Sequence, residues 1–122
     1  MTDSALSIVE RQMDEVTVLA LTGQMLLDDG DLVFGRTIRD LVDRGRVKIV
    51  VDLGGVTYID SSGVGMLVGK LKSVRENGGD IRLLHVTTRG QRLFVMLKIL
   101  TVFETFEDEA QAVGSFSARP RG

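Results

Sequence analysis

Val47-Lys48-Ile49-Val50-Val51-Asp52-Leu53, and after a short interval Tyr58-Ile59-Asp60-Ser61-Ser62-Gly63-Val64-Gly65, is the stretch that decides the fold. Its first half is nearly unbroken in Val, Ile and Leu, the composition of a strand covered on both faces. Gly54 to Ile59 reads as a short connection. Asp60-Ser61-Ser62-Gly63 then has the residue types that begin a helix, and Val64, Leu67, Val68, Leu71 and Val74 keep helical spacing until Asn77-Gly78-Gly79 stops it. A buried strand running straight into an amphipathic helix is the unit of an α/β sheet.

Working outward, Leu6 to Met13 and Val16 to Thr22 are strand-like runs joined at Asp14-Glu15, with Gly23 closing the second. They predict an antiparallel hairpin. Phe34, Ile38, Leu41 and Val42 mark one face of a helix, with Asp31 as its N-cap and Gly45 as its stop. Downstream, the pattern predicts a strand over Ile81 to Val86, a short helix over Gln91 to Leu97, an extended piece over Val102 to Phe106, and a terminal helix from Asp108, its cap, to Phe116. The expected fold is a single-domain mixed β-sheet: an N-terminal hairpin, then strand-helix alternation, then a C-terminal helix. The domain is expected over residues 5–116, with 117–122 a disordered tail.

Composition narrows the function. Of 122 residues, 43% are hydrophobic and 26% charged, as in a folded globular chain, and cysteine is absent, which removes disulfides and thiolate metal sites. A formal charge of −2 lacks the basic excess that holds nucleic acid, and the scatter Arg82, Arg89, Arg92, Lys98 reads as a solvated face. No basic, then apolar, N-terminal region and no long uncharged apolar run occur, so the expectation is a cytoplasmic protein without a membrane span.

Asp60 to Gly65 sits at the junction where α/β sheets commonly place function. A helix's first turn has unpaired N–H groups and partial positive charge, suited to a phosphoryl group, and the bare Gly63 and Gly65 leave room for a partner's approach. The same residues serve equally as helix caps, and the spacing Gly63, Gly65, Gly69 also reads as helix packing.

The strand Val47 to Leu53 followed by Asp-Ser-Ser-Gly-aliphatic-Gly resembles the STAS family, and more narrowly its anti-sigma factor antagonists. The resemblance runs on through Gly78-Gly79, Ile81 to Leu84 and Gln91-Arg92-Leu93-Phe94. It implies a non-enzymatic protein without cofactor or metal. Its partners would be an anti-sigma factor that is a Ser/Thr kinase and a phosphoserine phosphatase. Ser61 would accept phosphate, with Ser62 ranking second, and the unmodified form would bind the anti-sigma factor. The partner surface would comprise Asp60, Ser61, Ser62, Gly63, Val64 and Gly65 with Gln24 and Met25, on a monomer or weak dimer. Where such proteins carry Gly-Glu after the second strand, this chain has Gly23-Gln24, and its acidic tract Asp28-Asp29-Gly30-Asp31 reads as helix capping. A STAS module that works without phosphorylation, as scaffold or small-ligand binder, is the alternative.

Other classes fit less well. An aspartyl-phosphate receiver could use Asp52 with Asp28, Asp29 and Asp31 around Mg²⁺, but a hairpin precedes the acids and no Lys-Pro pair occurs; Asp52 reads as a polar strand end. A serine hydrolase needs a base, and the one histidine, His85, reads as a half-buried strand residue. The glycines do not reproduce a dinucleotide fingerprint. The stripe Leu93, Phe94, Leu97, Leu100 reads as core.

Overall fold

A computed structural model describes residues 6–25, 29–87, 92 and 103–117. Strands β1 (Ser7–Met13) and β2 (Val16–Met25) pair antiparallel from Ser7↔Thr22 to Met13↔Val16 across the two-residue turn Asp14-Glu15. Asp14 takes a left-handed φ of 59°, which Asp tolerates better than most side chains. The turn is held by Arg46, which donates to the Asp14 carbonyl (3.0 Å), and by Lys48, which pairs with Glu15 (2.5 Å).

Helix α1 (Asp29–Asp43) crosses from β2 to β3 (Lys48–Ile59), α2 (Ser61–Glu76) from β3 to β4 (Asp80–Leu84), and a two-residue β5 (Thr105–Phe106) precedes α3 (Glu109–Gly114). The sheet order is β1-β2-β3-β4-β5, antiparallel only at the hairpin. This is the mixed sheet expected from the sequence. The predicted helix over Gln91 to Leu97 and the stripe Leu93 to Leu100 lie outside the described residues, apart from Arg92, which is helical.

Three boundaries differ from the sequence reading. Strand β2 continues past Gly23 to Met25, and the segment read as a connection, Gly54 to Ile59, is the second half of a 12-residue strand. These halves pair with each other, Gln24↔Tyr58 and Met25↔Ile59, beyond two register shifts at each of which β3 carries the extra residue. Gly23 lies beside one of these bulges in β3, and the ladder runs on past it. Helix α1 begins at Asp29, so Asp31 is its third residue and not its cap; with Asp, Asp, Gly and Asp in succession, local preference cannot choose the first helical residue. Gly45, at φ 76°, does end the helix, with the Arg46 amide reaching back to the Leu41 carbonyl at 2.8 Å.

The sheet is buried on both faces, unequally. Helices α1 and α2 cover one face through Phe34, Ile38, Leu41, Leu67 and Leu71 packed on Leu19, Ile49, Val51 and Ile81. Helix α3 covers part of the other, where Ala112, Val113 and Phe116 meet Val16, Val18, Val50 and Leu84. Adjacent Val50 and Val51 thus serve different cores, which explains the unbroken aliphatic run. Asp108 caps α3 by accepting from the Gln111 amide (2.9 Å), and Arg82 clamps its end with a bond to Ser115 (2.6 Å) and its guanidinium 4.0 Å from the Phe116 ring centroid.

His85 is not a half-buried strand residue. Strand β4 ends at Leu84, and His85 follows it exposed at φ 57°, its Nδ1 2.9 Å from Asp52 Oδ1. Asp52 lies inside β3 and also accepts from the Gly54 amide (2.9 Å), so its carboxylate organises the strand's bend toward its second half. No helix among the described residues is long and apolar enough to cross a membrane.

Candidate functional site

Asp60 lies between the last residue of β3 and the first of α2, with extended backbone (φ −115°, ψ −175°). Its Oδ1 accepts from the Gly63 amide at 3.0 Å and its carbonyl from the Val64 amide at 3.0 Å. The N-cap is therefore Asp60, and neither serine is needed for it. Ser61 is the first helical residue and exposed; Ser62 is half-buried. Neither hydroxyl bonds to a described residue, and the Ser61 and Ser62 amides belong to the first turn, which has no intrahelical acceptors.

What lies beneath this turn fixes it in place. Met25, fully buried at the end of β2, pairs with Ile59, and a Cβ on Gly63 would stand 2.4 Å from the Met25 carbonyl oxygen and 3.0 Å from Ile59 Cγ1. Gly63 is thus required by the close approach of strand end and helix. Val64, 1% exposed, points into the core beside it. Gln24 is half-buried next to Tyr58, and the Thr57 hydroxyl donates to the Gly23 carbonyl at 3.2 Å. The structure brings Gln24 and Met25 against the strand that delivers the serines; it places Gly63, Val64 and Met25 as inward supports and Ser61, Ser62 and Gly65 on the outside.

Gly65 and Gly69 differ from Gly63. Both are exposed, and a Cβ on either would meet nothing within 4 Å. The packing reading of the three glycines holds for Gly63 alone. Sequence reasoning gave Gly69 no part in an open surface, although the signal was there: Gly65 and Gly69 are four apart and fall opposite the buried set Val64, Leu67, Leu71 and Val74. Together with Ser62 they form a ridge without bulky side chains.

Among the described residues, no base bonds to either serine hydroxyl. His85 is engaged with Asp52 and bonds to neither serine. A hydroxyl on the first turn of a helix, exposed and unbonded, can instead receive a group delivered by another protein, and an added anion there faces the positive end of α2.

Comparison with known proteins places this geometry. The model of the STAS domain family matches residues 7–112. The anti-sigma F factor antagonist of Paenibacillus polymyxa is 24% identical over 98 residues, 80% of this chain and 84% of that protein. The anti-sigma-B factor antagonist of Staphylococcus aureus is 42% identical over 50 residues, and that match spans less than half (46%) of the relative's length. Among solved structures, an anti-sigma factor antagonist from Mycobacterium paratuberculosis superposes with a TM-score of 0.83 at 14% identity, covering 96% of this chain and 98% of that one. The Bacillus cell fate determinant SpoIIAA, in its phosphorylated form, gives 0.72 at 19% identity, covering 90% and 99%. At these identities the structures show the shared fold.

Proposed function

This chain belongs to the STAS domain family, and from that premise we propose that it is an anti-sigma factor antagonist acting in the cytoplasm. In this reading it is a binding switch without catalysis of its own. The unphosphorylated protein binds and sequesters a kinase-type anti-sigma factor, phosphorylation of Ser61 ends that binding, a phosphoserine phosphatase restores it, and sigma-factor-dependent transcription follows the balance. The names of the relatives support the antagonist role, and a solved phosphorylated form of SpoIIAA supports modification as the control.

One observation carries the choice of residue. Asp60 alone makes the cap, so the exposed Ser61 hydroxyl has no structural duty to lose when it is modified, whereas Ser62 is half-buried. Phosphate at Ser61 adds about −1.5 to −2 charge beside Asp60, which the helix N-terminus partly offsets within the chain. A partner that covers the turn would have to desolvate that charge. The fold is retained and the docking surface is lost.

Ser61→Asp and Ser61→Ala, assayed by calorimetry against each purified kinase-type anti-sigma factor of the source organism, test the switch. Loss of binding with Asp and retained binding with Ala are expected. If both variants bind like the parent, Ser61 is not the switch, and a STAS module that works unmodified takes its place.

A further inference from the structure

Among the described residues, five cations are matched within the chain. Arg11 reaches Glu109, Arg44 reaches Glu10 and Asp40, Lys48 reaches Glu15, and Arg75 and Arg82 share Asp80. Arg36, Arg39, Lys70 and Lys72 form no ion pair with any described residue, and Arg46 bonds to the Thr17 hydroxyl and the Asp14 carbonyl. Arg36, Arg39 and Lys70 are carried by the two helices where α1 and α2 touch. Lys70 of α2 lies across Gly35 of α1, its Cε 3.4 Å and Nζ 3.6 Å from the point where a Cβ on Gly35 would stand. Arg39 is one turn beyond Gly35 on the same face of α1, and Arg36 is the exposed neighbour. Asp40 turns to Arg44 instead (3.0 Å), leaving Asp43, at the last turn, as the nearby carboxylate of α1. In a chain of net charge −2, this is a local concentration of the opposite sign.

The patch is continuous with the open ridge. Lys70 follows Ser62 and Met66 at intervals of two and one turns on α2, and Gly69 adjoins it with open space above. A partner backbone laid along Gly65 and Gly69 would bring its side chains within reach of all three cations. We propose that the α1–α2 face, Arg36, Arg39 and Lys70, receives an acidic surface of the partner protein; this rests on the antagonist reading above and names the charge of the surface that it binds.

The test is calorimetric binding of each purified kinase-type anti-sigma factor of the source organism to the parent, to Arg36→Glu/Arg39→Glu/Lys70→Glu, and to Arg11→Glu, a reversal on β1 where the side chain faces Glu109 of α3. All four positions are exposed or half-buried, and a thermal melt checks that each variant is folded. The triple reversal should weaken binding by about 30-fold at low salt and Arg11→Glu by less than about threefold. Parent affinity should fall by about tenfold or more between low and high salt. A parent that binds while the triple variant binds within about threefold of it, or a parent whose affinity ignores salt, overturns the acidic-partner proposal and leaves the antagonist reading standing. A parent that binds none of these anti-sigma factors overturns the antagonist reading, and this proposal with it. If the triple variant does not melt cooperatively, the single Lys70→Gln variant replaces it, with a loss of about threefold expected and no loss refuting.

Discussion

Alanine at Gly65 and Gly69 should stabilise the protein, and alanine at Gly63, on the same helix, should destabilise it. Glycine inside a helix is about 0.8–1.0 kcal/mol less favourable than alanine, through the backbone entropy it loses on folding. At Gly65 and Gly69 a new methyl group meets nothing within 4 Å, so that gain is not offset, and the double variant should gain about 1.5–2 kcal/mol. For a chain of this size that corresponds to a melting temperature about 5–9 °C higher. At Gly63 the methyl group would stand 2.4 Å from the Met25 carbonyl oxygen, so strand end and helix must separate. Overpacking of that kind costs about 1–3 kcal/mol, more than the helix propensity returns. Urea unfolding followed by circular dichroism, with the m-value checked for constancy, measures all three. A Gly65→Ala protein that unfolds at lower urea with unchanged m would refute the open-face reasoning. On the proposed function the stabilised double variant should also bind its partner more weakly, since the ridge is no longer bare.

Asp60→Ala should cost about 1 kcal/mol through loss of the cap to the Gly63 amide, and an unchanged unfolding midpoint would show that a serine caps in its place. Leu71→Ala, at a position 1% exposed between α2 and the sheet, should cost about 2–5 kcal/mol in the same assay, and a cost under about 1 kcal/mol would contradict the packing described. The Lys48 ammonium holds the Glu15 carboxyl below its ordinary value of 4.5, so this pair stabilises the fold at neutral pH and ceases to do so as pH falls through the lowered folded value. The stability difference between the parent and Glu15→Gln should therefore shrink on acidification from about pH 5 to about pH 3, and a difference independent of pH would refute the pairing.

The fold was legible where period and residue type agreed. The unbroken aliphatic run of β3 reported its two-sided burial, and the spacing of Val64, Leu67, Leu71 and Val74 reported the inner face of α2. It was illegible where one residue type serves two purposes. Gly23 looked like a stop and lies inside the ladder, opposite a bulge in β3, and only the partner strand's register distinguishes the two. His85 looked like a strand member, and its left-handed turn depends on Asp52, 33 residues away. At the candidate site, the sequence singled out Asp60 to Gly65 but could not divide them. Capping by Asp60, support by Gly63 and exposure of Ser61 and Gly65 follow from where Met25 and Ile59 lie beneath the turn. The Lys70 approach to Gly35 joins two helices and left no mark in either alone.

The strands stand in the sheet in the order in which they are joined along the chain, β1 to β5. A polypeptide leaving the ribosome N-terminus first therefore never has to hold a gap open for a strand still unmade. Once the hairpin has closed, each new strand finds its neighbour already in place at the growing edge, and each crossover helix seals the face just formed. The Ser61 turn needs only β2, β3 and α2, and all three precede β4 and β5 along the chain. The surface on which the proposed switch acts is thus complete within the first 76 of the 122 residues.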